Sequence, residues 1–335
     1  MNFGLSFWVS VFIVAALILL ALVGVEGAKM HSLFGVIVPY AAFLVFGIGV
    51  IARVLKWGRS PVPFRIPTTG GQEYSLPWIK TNKYDNPSTT FGVIVRMALE
   101  VFAFRSLFRN TKVELREGPQ LAYGSSKWLW IGSLAFHYSF LIVLLRHLRF
   151  FTEPQPFFVT IIESLDGFLQ IGAPVLYLTG IALLGGVTYL LIRRISIPQV
   201  RYISLAADYF PLVLILCIGV TGILMRYFYK VDIVGIKTLT LGLAHLNPKV
   251  PEGIGVLFYI HLFLVSVLFA YFPFSKLTHM AGVFLSPTRN LANNNRMKMH
   301  VNPWNYPVKM HTYEEYEDEN RDVMIEAGLP VDKKE

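Results

Sequence analysis

A single cysteine in 335 residues removes several chemistries at once. Cys217 has no second thiol for an internal disulfide, cannot supply the four thiolates of an iron–sulfur cluster, and stands in no CxxCH run for covalent haem attachment. Any prosthetic group is therefore held by other side chains, and Cys217 itself reads as a small packing residue. Charge is scarce as well: 15% of residues are Asp, Glu, Lys or Arg against 54% hydrophobic, and the mean hydropathy is +0.52. That balance excludes an ordinary soluble domain of this length. The chain also has no internal repeat and no low-complexity tract, which removes solenoids and inverted-repeat architectures from first consideration.

What is present is a set of six apolar runs near the length needed to cross a hydrocarbon core, about 20 residues each. They extend from Leu5 to Val25, Leu33 to Leu55, Trp128 to Leu148, Phe168 to Ile192, Ile203 to Phe228, and Ile254 to about Lys276. The first is expected to be a retained span, because its start, MNFGLSF, lacks the positive n-region of a secretory signal. With both ends on one side, that side collects 23 of the 30 Lys and Arg residues, whereas the segment from Phe150 to Gly167 outside the hydrocarbon has no lysine. The positive-inside rule then places both termini in the cytoplasm and the chain in the inner membrane. A net charge of +9 follows from basic inner loops beside anionic lipid and needs no nucleic acid.

The fold class expected is an all-α integral membrane bundle of six helices, in five parts. Residues 1–27 form an added N-terminal span, 28–56 a second span, 57–127 a cytoplasmic loop, 128–283 a four-helix membrane core, and 284–335 a cytoplasmic tail. Within the loop, RSPVPFRIPTTGGQEYSLPWIKTNKYDNPS reads as irregular. FGVIVRMALEVFAFRSLFRNTK spaces Arg96, Glu100, Arg105 and Arg109 through apolar residues, as suits a helix in the membrane surface or a docking element. The tail, with its acidic cluster from Glu314 to Glu319, is too polar to fold by itself, and Trp304, Tyr306, Tyr313 and Tyr316 offer anchors for a partner.

Four histidines interrupt this apolar background. His137 and His147 lie ten residues apart on the third span, and His261 and His279 eighteen apart on the sixth. Ionisable groups in a membrane are costly and usually face a bundle interior, where they serve a ligand or a pathway. Because the two spans run in opposite directions, His147 pairs in depth with His261 at the outer side and His137 with His279 at the inner. Neutral imidazole is a good axial ligand for haem iron, and non-covalent haem needs no cysteine, so the pattern points to two stacked haems b. One mismatch stands: in an ideal helix ten residues rise about 15 Å and eighteen about 27 Å, a difference that tilt or a kink at Pro273 has to absorb. His31, His245, His300 and His311 fall in loops or the tail and are assigned nothing.

These spacings resemble the gamma subunit of respiratory nitrate reductase, a dihaem cytochrome b that takes electrons from quinol. The resemblance covers spans two to six, and it implies His147 and His261 as ligands of the distal haem and His137 and His279 of the proximal one. The added first span, the long loop and the tail, with TGILMRYF, FRSLFRNTK and HVNPWNYP, are similar to the membrane cytochrome b (DsrM) of the sulfite-reduction-associated redox complex. That likeness implies menaquinol as substrate and a cytoplasmic iron–sulfur partner related to heterodisulfide reductase. It also implies a periplasmic cytochrome c and further membrane redox subunits.

Arg146, Arg149 and Arg226 at outer span ends are candidates to pair with haem propionates or a quinol head, or to act as interfacial anchors. Glu163 and Asp166 are candidate acceptors of quinol protons, or solvated loop residues. The lysine of the nitrate reductase quinol site has no counterpart in the outer segment from Phe150 to Gly167, so that site does not carry over. Gly180, Gly185, Gly186, Gly219 and Gly222 suit close helix or macrocycle approach. The function expected is an electron-transfer subunit of a quinone-linked oxidoreductase, not a complete enzyme alone. Two other readings stay open: a cytochrome b of another dehydrogenase or hydrogenase, and a six-span transporter with a histidine proton relay.

Overall fold

The computed structural model describes residues 3–60, 62, 65–66, 74–118, 120–301, 307 and 309–332. Trp304, Tyr306 and the HVNPWNYP stretch that contains them fall outside the described residues, apart from its first two and last positions. Among the described residues six helices are long and apolar enough to cross a membrane: Gly4–Gly27 (span 1), Leu33–Gly58 (span 2), Lys127–Phe151 (span 3), Leu178–Ser196 (span 4), Ala206–Phe228 (span 5) and Val256–Phe274 (span 6). Hydrocarbon offers no hydrogen-bond partners, and an apolar run that satisfies its own backbone as a helix is the solution such a solvent selects.

Span 4 begins later than the sequence suggests. Phe168–Tyr177 is apolar but not helical, because Gln170 and Gly172 take positive φ and Pro174 follows them. Hydropathy registers the oily residues but not the turns that break them. A twelve-residue helix that the sequence reading passed over, Ile233–Ala244, starts on an Asp232 carboxylate that accepts from the backbone of Val234 and Gly235. At about 18 Å it is too short to cross, and it packs on span 3.

Span 3 packs on span 4, span 4 on span 5, span 5 on span 6, and span 6 on span 2, with span 1 against spans 5 and 6. The approach of spans 3 and 4 is close enough that a Cβ at Gly186 would meet the Phe136 Cα at 3.0 Å. Span 3, which carries His137 and His147, and span 6, which carries His261 and leads to His279, are not among the closely packed pairs.

Span 6 ends differently from a continuous rod. After Tyr271 the chain tightens into a 3₁₀ turn at Phe272–Phe274, extends at Ser275, and makes a second 3₁₀ turn at Lys276–Thr278 before His279. Pro273 cannot donate to the helix ladder, which explains the place of the break. Lys276 Nζ then donates to Asp208 Oδ1 of span 5 at 2.6 Å, pinning the segment. His279 therefore lies off the helical rod. The 27 Å of the ideal helix does not apply, and the mismatch with span 3 disappears.

On the side of the chain that holds loop 59–126, the helix Thr90–Ala103 is capped by Thr89, whose hydroxyl accepts from Gly92 N, and stopped by Phe104 in the left-handed region at φ 49. Phe91, Ile94 and Phe102 are exposed on it, whereas Arg96 and Glu100 turn inward. Thr111–Arg116 and Gln120–Ser125 then form an antiparallel hairpin that sequence reading missed, with Val113 opposite Tyr123 and Leu115 opposite Leu121. The tail is also more ordered than its polarity suggests. Asn293 N donates to Pro87 O at 2.8 Å, and Tyr313–Glu326 is a helix with a capping box between Thr312 and Glu315.

Candidate cofactor-binding site

His137 and His279 face each other with ring centres 5.9 Å apart and planes at 83°. His147 and His261 face each other at 6.3 Å and 12°. A ring nitrogen lies about 1.1 Å from its ring centre, so two imidazoles bonded at about 2.0 Å to opposite sides of one metal have centres about 6.2 Å apart. Both pairs meet that spacing.

The orientation of each ring is set by its other nitrogen. Nδ1 of His137 lies 2.7 Å from Ser133 O, that of His147 2.7 Å from Val143 O, and that of His279 2.9 Å from Lys276 O. A carbonyl only accepts, so these Nδ1 atoms carry the proton and leave Nε2 with a free lone pair. His261 differs: its Nδ1 lies 2.8 Å from Thr221 Oγ1. That hydroxyl donates to Cys217 O at 2.9 Å, which leaves it to accept from the imidazole. Such partners fix tautomer and ring direction, the usual second layer around a ligating histidine.

Among the described residues no group of three or more His, Cys, Asp and Glu could hold a bare metal ion. Two facing imidazoles complete only a metal that brings its own equatorial ligands, as iron porphyrin does. The donor set thus fits haem, and fits it twice. Gly222 also approaches the ligand region, since a Cβ there would lie 3.5 Å from His261 Cε1. Gly219 instead gives room to Leu184, and Gly180 and Gly185 face open space.

Beside His147, the charged candidates Arg146, Arg149, Glu163 and Asp166 form ion pairs with one another. Arg146 pairs with Asp166 at 3.1 Å, and Arg149 with Glu163 at 2.9 Å. Asp166 is fully engaged, accepting also from Thr179 N at 2.8 Å and Thr179 Oγ1 at 2.6 Å. Glu163 is more open and accepts as well from Gln155 Nε2 at 3.2 Å. Arg226 donates to Val175 O at 3.0 Å. The Tyr177 ring lies between the guanidiniums of Arg146 and Arg226, 3.9 and 4.0 Å from its centre. Tyr177, like Thr221, was not anticipated, since nothing in the local sequence distinguishes either from ordinary polar punctuation of a span.

Beside His137, the Phe104 ring stands edge-on with centres 5.0 Å apart. Its strained backbone is held because Trp130 Nε1 donates to Ala103 O and Tyr138 Oη to Phe102 O, each at 2.7 Å. Behind Phe104, Asp85 accepts from Arg105 at 2.7 Å and from Arg109. Glu100 accepts from Arg96 at 2.7 Å and pairs with Arg289 at 3.3 Å. Burial alone would raise both carboxyls. For Asp85 the hydrogen bond and charge of Arg105 with the nearby Arg109 and Arg96 outweigh it, and for Glu100 the bonds from Arg96 and Ser106 do so, leaving both below the usual carboxylate range.

A sequence model of the nitrate reductase gamma subunit family matches residues 89–295. A protein of Archaeoglobus fulgidus called "Hdr-like menaquinol oxidoreductase cytochrome b-like subunit" is 45% identical over 279 residues, which is 81% of this chain and 83% of that protein. A protein of the same designation from Archaeoglobus profundus is 43% identical over 273 residues, or 79% of this chain and 81% of its own length.

Proposed function

The chain belongs to the nitrate reductase gamma subunit family, and from that premise we propose that it is the dihaem b subunit of a menaquinol-linked oxidoreductase. It transfers electrons between the quinol pool and a cytoplasmic iron–sulfur partner related to heterodisulfide reductase, in sulfur or sulfite respiration of the DsrM kind. The observation that carries the proposal is the double coincidence of ring spacing, 5.9 and 6.3 Å, between span 3 and the stretch formed by span 6 and the segment after it.

Bound haem supplies one-electron chemistry at each pair. His147 and His261 hold the outer group and His137 and His279 the inner, with both termini cytoplasmic. The residues of the chain do the rest. Quinol is oxidised at the outer side, where Arg146, Arg149 and Arg226 orient the head group or the propionates and Glu163 and Asp166 are the proton acceptors. Of these two, Glu163 is the better placed, since the hydrogen bonds of Asp166 are already filled. Arg149 pairs with Glu163 and fixes the direction of its carboxylate. The Phe104 ring stands against His137 of the inner pair, and the basic loop and the tail form the docking side.

The test is a reduced-minus-oxidised spectrum with redox titration of the purified chain. Two low-spin haem b transitions support the reading, and their absence favours the proton-relay transporter. A menaquinol analogue that shifts only the outer transition supports the quinol side assigned here; a shift of the inner one overturns it. The subunits recovered with the chain distinguish a heterodisulfide-reductase-like partner and any periplasmic cytochrome c from another dehydrogenase or hydrogenase.

A further inference from the structure

Two arginines behind Phe104 are buried more completely than their bonding explains. Arg65 is 1% exposed and Arg96 6%. Arg65 donates from Nε to Thr288 O at 3.0 Å and from Nη2 to Asp85 O at 2.7 Å, but Nη1 has no partner among the described residues. Arg96 donates from Nη1 to Glu100 and from Nη2 to Ser106 Oγ, each at 2.7 Å, but Nε has none. The two guanidiniums are close enough for their charges to oppose each other, and burial together with that opposition lowers the proton affinity of Arg65. Around them the two carboxylates, Asp85 and Glu100, are outnumbered by the arginines that pair with them. A buried surplus of guanidinium with unspent N–H groups favours an added oxyanion, and the planar fork selects carboxylate or phosphate.

We propose that Arg65 and Arg96 receive a propionate carboxylate of the inner haem, a reading that rests on the dihaem assignment above. Position favours this anion over a phosphate or lipid headgroup. Arg96 is bonded to Ser106, two residues beyond Phe104, whose ring stands against His137. Arg65 is bonded to Thr288, in the segment that follows His279. The two arginines are thus bonded to the stretch that carries Phe104 and to the one that follows His279, and a haem brings two carboxylates to a region with surplus positive charge.

The experiment uses the full chain loaded with haem carrying ¹³C at its propionate carboxyls, with the inner haem identified as the one lost in His279→Ala. Redox-difference infrared spectra and midpoint titrations are compared for wild type, Arg65→Gln and Arg96→Gln. The expected result is a shift of the isotope-sensitive carboxylate band of the inner haem and a lowered inner midpoint, with both outer signals unmoved. Should a Gln variant not fold, Arg96→Lys, which keeps the charge but not the fork, carries the test through a partial shift of the same band. An unmoved inner band with both haems present overturns the proposal, as does a tightly held phospholipid that the wild type retains and the variants release. A chain with no low-spin haem at all overturns the functional reading instead.

Discussion

Thr221 distinguishes one histidine from the other three, because it sets a side-chain hydroxyl against Nδ1 of His261. Replacing it should loosen the outer haem without removing its ligand: Thr221→Val is expected to lower haem affinity at that site by about 10- to 100-fold, the usual cost of a lost outer partner. Haem retention during dilution of the purified variant measures this, and equal loss of both haems would contradict it. The histidines themselves give a sharper pattern. His147→Ala should abolish the outer transition and His279→Ala the inner, each sparing the other, so a redox titration in which both variants lose the same transition would refute the pairing. The two carboxylates should separate as well. Glu163→Gln is expected to slow quinol-driven haem reduction by about 10²-fold or more with haem retained, whereas Asp166→Asn, which leaves a buried Arg146 unpaired, should act mainly on stability, by about 3–5 kcal/mol. Stopped-flow reduction and thermal unfolding read the two effects apart. All four histidines were legible in the sequence because imidazole is conspicuous in an apolar run; Thr221, Tyr177 and the buried Arg65 were not, because their partners come from distant elements.

At the scale of elements, hydropathy located every span and misplaced one boundary, since Phe168–Tyr177 is oily but broken by Gln170, Gly172 and Pro174. Pro273 marks a kink, yet the eighteen-residue spacing suggests a single helix, which extended Ser275 interrupts. The hairpin from Thr111 to Ser125 escaped notice because its strands are six residues each and exposed throughout most of their length. The tail divides into two parts with different duties. Asn293 and Asn294 are tied to Pro87 and Ser88 and belong to the body, whereas Tyr313–Glu326 is an acidic helix with Tyr316 and Val323 exposed. A truncation after Leu291 would therefore disturb the loop near the inner pair. Truncation after Met310 should instead keep both haem transitions and lose the cytoplasmic partner on co-purification; a complex that survives it would remove the tail helix from the docking surface.

For the molecule as a whole, two kinds of cohesion meet at the inner pair: apolar helix packing, and a loop held by salt bridges together with hydrogen bonds. Asp85 and Glu100 are both held below their ordinary values of 3.8 and 4.5. A depressed folded-state carboxyl stabilises while ionised, so its contribution is complete above the ordinary value and is lost as pH falls through the folded one. The loop is expected to stay docked from pH 6 to 8 and to become protease-sensitive below about pH 4, with the inner haem perturbed before the outer. Limited proteolysis beside an optical pH titration tests the order. The break at Ser275 has a further consequence, for the maturation of the protein. The outer pair draws its two imidazoles and the Thr221 hydroxyl from spans 3, 5 and 6 alone. The inner site also waits for a tethered His279 and for a loop threaded between spans 2 and 3. On the proposed assignment haem loading is ordered, outer first and inner last, and a cell short of haem would accumulate a half-loaded chain able to accept electrons but not to pass them on.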